Sequence, residues 1–83
     1  LMEENTQLIK KNNQLKFENL AEKRVNKAVQ TISLIGKLSN TANYSFNEDH
    51  IKAMKRALIN EVNLTISKFE TSLSKKKDFK FNK

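Results

Sequence analysis

The sequence predicts an all-α fold: a helical hairpin with an N-terminal coiled-coil extension, oligomerising into a helical bundle. Three observations lead there. The 83 residues include one Gly, no Pro and no Cys. An all-β fold would lack its turn residues, and neither a disulfide framework nor a thiolate zinc site can form. Apolar residues recur every three or four positions along two long stretches, as amphipathic helices require. Finally, only 37% of the residues are hydrophobic, and a single core in so short a chain supplies about 3–5 kcal/mol at best. Self-association is therefore expected.

Residues 1–16 read as coiled coil. Leu1, Leu8 and Leu15 recur every seven residues. With these at d, Asn5, Asn12, Asn19 and Asn26 fall at a. A buried Asn at a specifies register at a cost in stability, so the seam is weak but selective. The bland reading is an exposed polar helix with three incidental leucines. The chain opens Leu1-Met2-Glu3 in mid-pattern, as a fragment of a longer protein with an upstream domain would.

From Phe17 the apolar phase changes. Phe17, Ala21, Val25, Ala28, Ile32, Ile35 and Ser39 follow at spacings of four or three, with Val29, Leu34 and Leu38 widening the stripe. This is the pattern of a core-facing helix. A helix continuous over 1–38 would be about 57 Å long. Gly36 within it either admits a second helix closely or marks the fraying end; a mid-helix Gly costs about 1 kcal/mol relative to Ala.

Residues 39–47, Ser-Asn-Thr-Ala-Asn-Tyr-Ser-Phe-Asn, form the break, since Asn and Ser favour turns and caps. Asn47 is a good N-cap. Phe46 and Ile51 are placed as a hydrophobic staple, Glu48 and Asp49 suit the first turn, and Glu48 with Lys52 makes an i,i+4 pair. The second helix carries Ile51, Met54, Leu58, Val62, Ile66, Phe69 and Leu73 on one face. It is expected to span about 48–74, roughly 40 Å. Folded back as an antiparallel hairpin over 17–74, it covers the first helix from about residue 15. The first 14 or so residues then overhang, and a lone hairpin buries too little. A dimer gives a four-helix bundle with a parallel zipper at one end; a tetramer stays open. The expected assembly residues are Leu8, Leu15, Val25, Ile32, Ile35, Ile51, Met54, Leu58, Val62, Ile66 and Phe69.

The formal charge is +7, and it is unevenly distributed. Residues 1–22 carry −1, residues 23–44 carry +4, residues 45–74 balance, and residues 75–83 carry +4. The basic tail holds Lys75, Lys76, Lys77, Lys80 and Lys83, interleaved with Phe79 and Phe81. Lysines there can simply complement the helix dipole or keep a tail solvated. With the phenylalanines they also suit a DNA backbone, bound without sequence preference, or an anionic membrane surface. Lys23, Arg24 and Lys27 form a second basic cluster, which with Lys10, Lys11 and Lys16 either tracks a nucleic-acid backbone or is the helix's wet face.

Catalysis finds no support in the sequence. There is no phosphate loop, nucleophile motif or metal-spaced His/Cys set, so neither metal nor cofactor is expected. His50, the single His, neighbours Asp49, but adjacent helical residues point about 100° apart and make no dyad. A solvated or loop-packing His50 is the expectation. Tyr44 and Phe46 are expected to anchor the loop, with partner recognition as the alternative. No run approaches the roughly 18 apolar residues of a membrane span, and the opening residues carry no signal-peptide apolar core.

Lys outnumbers Arg 14 to 2, with 11 Asn. That bias associates with AT-rich coding and suggests a low-GC bacterium, its plasmids or its phages. Leu34-Ile35-Gly36-Lys37-Leu38-Ser39-Asn40 followed by Asn43-Tyr44-Ser45-Phe46 resembles a cassette in small bacterial helical proteins of no known activity. Separately, the order coiled coil then lysine cluster resembles the C-terminal region of the accessory DNA-binding regulator of tubulin-type plasmid partition systems. The break over 39–47 departs from that family's uninterrupted coiled coil. The resemblance implies oligomerisation and a lysine tail binding DNA and lipid, carried here by Lys75, Lys76, Lys77, Lys80 and Lys83.

The expectation is a non-enzymatic oligomerisation module of a plasmid- or phage-type DNA-associated protein, with a basic tail for DNA. The alternatives are a protein-interaction adaptor, binding a host or phage protein through the second helix or the 44–46 loop, and a membrane-surface anchor. The expected partners are a second copy in a dimer or tetramer, DNA, an anionic membrane surface or a protein. The expected location is cytoplasmic, with nucleoid and membrane association as variants.

Overall fold

The computed structural model of the chain describes the backbone of residues 2–78 and the side chains of residues 8–74. Among the described residues the fold is all-α. Helix α1 spans Met2–Gly36, a 3₁₀ turn follows over Lys37–Ser39, helix α2 spans Glu48–Asp78, and there is no strand. The chain divides into two compact units, Leu1–Tyr44 and Ser45–Lys83.

The first unit is built on α1, whose 35 residues make a rod about 52 Å long. It runs through the junction at residues 15–17 without interruption. Polar side chains settle on the helix itself. Gln14 Nε2 donates to Glu18 Oε2 at 2.9 Å, and Thr31 Oγ1 donates to the Lys27 carbonyl at 2.9 Å. The α-helix stops two residues before the expected 38 and tightens into the 3₁₀ turn, a common way for a last turn to satisfy its free carbonyls. Gly36 stands at this transition in right-handed helical conformation, φ −61° and ψ −24°. A Cβ built there would meet nothing within 4 Å. Gly36 thus stands at the end of the α-helix, with none of the described residues close to it.

Asn40 closes the unit. Its backbone is extended, φ −74° and ψ 103°, which ends the helical run. Its carbonyl accepts from the Asn43 and Tyr44 N–H groups at 3.1 and 3.0 Å, and its Oδ1 accepts from Ala42 N–H at 3.0 Å. One residue thus serves three loop amides, the Asx-turn behaviour that makes Asn a loop residue. The break begins here, at 40 rather than 39.

The second unit starts with a cap. Asn47 Oδ1 accepts from His50 N–H at 2.9 Å, as an N-cap should. His50 Nδ1 accepts in return from Asn47 N–H at 3.1 Å. The first helical bond, Ile51 N–H to the Asn47 carbonyl, is 3.2 Å. This is a reciprocal capping box with His where Glu or Gln usually stands. It gives His50 a structural task that the sequence reading, solvated or loop-packing, did not contain.

Helix α2 then runs to Asp78, four residues past the expected end at 74. The correction has a simple cause. Lysine is a good helix former, and cations near a C-terminus are favoured by the helix dipole. The backbone of Lys75, Lys76 and Lys77 therefore belongs to α2 rather than to a separate tail. Phe79, Lys80, Phe81 and Lys83 lie outside the described residues, as does Leu1.

Among the described side chains no residue is buried, and only Ala21, Ile35 and Leu58 are half-buried.

Candidate functional site

The candidate site is the set of apolar faces that the helices present. On α2, Ile51, Met54, Leu58, Val62, Ile66, Phe69 and Leu73 fall within an arc of about 120° at 100° per residue, the width of a packing stripe. Leu58 is half-buried. The others are exposed, from 43% at Met54 to 62% at Leu73. Lys55 lies inside the same arc; its long stem can lie along apolar neighbours while the ammonium reaches water. Ile59 borders the stripe. Leu64 projects from the opposite side, and is 56% exposed.

On α1, Phe17, Ala21, Val25, Ala28, Ile32 and Ile35 occupy an arc of about 80°. Ala21 and Ile35 are half-buried, while Phe17, Val25 and Ile32 are exposed. Val29 borders this stripe. Leu34 sits about 100° beyond its other edge, so it does not widen the stripe as the sequence reading had it, and Leu38 has left the α-helix for the 3₁₀ turn. Leu8 and Leu15, both exposed, share a different line of α1 with Asn12, Asn19 and Asn26. Ile9, Leu20, Ile59 and Leu64 are exposed hydrophobics that stripe counting passed over. Ile59 carries a signal in its spacing of three from Val62, while Ile9, Leu20 and Leu64 lie off both stripes.

The basic candidates separate in the same way. Lys16, Lys23 and Lys27 fall within an arc of about 40°, at about 10.5 and 6 Å intervals along the axis. Arg24 lies about 60° to one side, and Lys10 and Lys11 lie on other faces. Glu18 and Glu22 project from the far side of α1. The helix thus brings together three of the six bases grouped by the sequence, as an exposed row.

At the loop, Tyr44 and Phe46 are exposed, while the Tyr44 amide is tied to Asn40. The Nδ1 of His50 is taken up by the cap. Among the described residues no group of three or more His, Cys, Asp or Glu is placed to hold a metal ion, and no helix is long and apolar enough to cross a membrane. Comparison of the chain with protein-family models, curated proteins and solved structures finds no match.

Proposed function

We propose that the chain is a non-enzymatic oligomerisation module of a plasmid- or phage-type DNA-associated protein, with a basic C-terminal segment that binds DNA without sequence preference. One observation supports the self-association in this reading. Twenty large hydrophobic residues are exposed, and none is buried, among the described side chains. Isolated exposed apolar residues are ordinary, but contiguous helical stripes of them mark contact surfaces. Burying one such side chain is worth about 1.5–3 kcal/mol, and the stripes of α1 and α2 supply many. An antiparallel hairpin that packs against a second copy uses both stripes at once.

The test is solution mass by light scattering. The wild-type chain is expected at dimeric or tetrameric mass, and a monomer would overturn the reading. For DNA, electrophoretic titration at two salt concentrations should show salt-sensitive binding; undiminished affinity after removal of 75–83 would reject the segment's role. A second reading is favoured by the continuity of α2 through Lys77. An amphipathic helix with a basic end suits an anionic membrane surface. Helicity that rises with anionic but not neutral vesicles would support that reading over DNA.

A further inference from the structure

Leu15 and Phe17 are two residues apart, a rotation of about 200° on an α-helix. Because α1 is uninterrupted over Met2–Gly36, the line of Leu8, Asn12, Leu15, Asn19 and Asn26 lies on the opposite side of one rod from the 17–35 stripe. Supercoiling cannot merge them, since a heptad repeat takes up only about 20° per seven residues. The stripe that suits a hairpin or bundle therefore faces away from the leucine line. One straight helix cannot cover both the leucine line and the stripe.

The chemistry of the line selects its occupant. An Asn facing an apolar surface forfeits hydrogen bonds. Facing the same amide at the same height, it finds both a donor and an acceptor. A second copy, parallel and in register, places Asn12 opposite Asn12 and Asn19 opposite Asn19, with Leu8 and Leu15 between them. Glu22, at the d position between Asn19 and Asn26, faces its own copy and weakens that end of the seam, so Leu8, Asn12, Leu15 and Asn19 carry the pairing. On the flanks of such a pair Glu18 at g faces Lys23 at e, an attractive combination, and Lys11 faces Lys16, a repulsive one. The flanks are thus nearly neutral, and the seam residues set the register.

We infer that α1 carries two self-association surfaces on opposite sides, the 8–26 line pairing in parallel with one copy while the stripe packs in the bundle with another. Each chain then touches two different copies. The assembly extends beyond a dimer, and a tetramer built as a dimer of dimers is its simplest closed form. This rests on the proposed self-association.

Light scattering and cross-linking test it separately from that reading. The wild-type chain is expected at four-chain mass. The double substitution Leu8→Glu with Leu15→Glu leaves the stripes intact and should halve the mass while helicity by circular dichroism is kept. The chain has no Cys, so an introduced one reports cleanly. Asn12→Cys and Asn19→Cys, made singly, should each give covalent dimers on oxidation, as only a parallel in-register pair allows for both. Wild-type mass retained by the leucine variant, or failure of either Cys variant to cross-link, overturns the two-surface inference and leaves self-association standing. A monomeric wild-type chain overturns both.

Discussion

Asn47 and His50 hold the start of α2 through one reciprocal pair of hydrogen bonds, and their substitutions should differ in a telling way. Asn47→Ala removes the acceptor for His50 N–H and should destabilise the helix by about 0.5–2 kcal/mol. His50→Ala frees the Asn47 amide alone and should cost less. His50→Glu restores the usual capping box and adds a negative charge at the positive helix end, so it should equal or exceed the wild type. Thermal unfolding followed by circular dichroism ranks the three; a His50→Glu variant as weak as His50→Ala would show that the reciprocal bond contributes nothing. The cap was legible in part. Asn47 announces itself by residue type and by the acids that follow it, whereas His50 does not, because the usual box is written with Glu or Gln and an imidazole acceptor depends on a tautomer no sequence displays. Gly36 offers a second test at this scale. With open space around its missing Cβ, Gly36→Ala should raise stability by about 1 kcal/mol. A drop in thermal midpoint would instead show that assembly brings another helix close at Gly36.

At the scale of the element, exposure and face make different predictions. Val62 and Leu64 are both exposed, 52% and 56%, and two residues apart on α2. They nevertheless point about 200° apart, Val62 in the stripe and Leu64 on the far side. If the stripe is the packing surface, Val62→Glu should shift the chain to lower mass, and Leu64→Glu should leave the mass unchanged. Equal effects from the two would remove the stripe's privilege. The existence and type of both helices were legible because their apolar periodicity runs for many turns. Their ends were less so. The onset of lysines at 75 looks like a boundary, yet lysine prolongs a helix as readily as it solvates a tail. The junction near residue 16 was legible as a change of phase, but its consequence was not. Opposite faces follow only once the backbone is known to run straight through without a loop to reset the rotation.

For the whole molecule the charge is the remaining question, and the number of chains decides how much it can do. Residues 75–83 carry +4 in each chain, so four chains present +16. The row of Lys16, Lys23 and Lys27 adds a second surface, with no carboxylate among the described side chains on its side of α1. Binding to duplex DNA by either should weaken with salt, with log K falling by about 0.9 per phosphate neutralised for each unit of log salt. The two sources separate by substitution. Removal of 75–83 should flatten the slope and weaken binding if that segment engages the backbone. Lys16→Gln, Lys23→Gln and Lys27→Gln together should do so if the row engages it. The assembly gives a further handle, because linked segments bind with avidity. The Leu8→Glu, Leu15→Glu variant keeps every lysine, but presents half as many per particle if the mass halves. Its affinity per chain should fall well beyond twofold, with the slope reduced alongside. Loss of affinity with an unchanged slope would place the defect in folding rather than in the count of phosphates reached. An affinity per chain equal to the wild type's would mean that each chain binds alone and that assembly serves some end other than DNA.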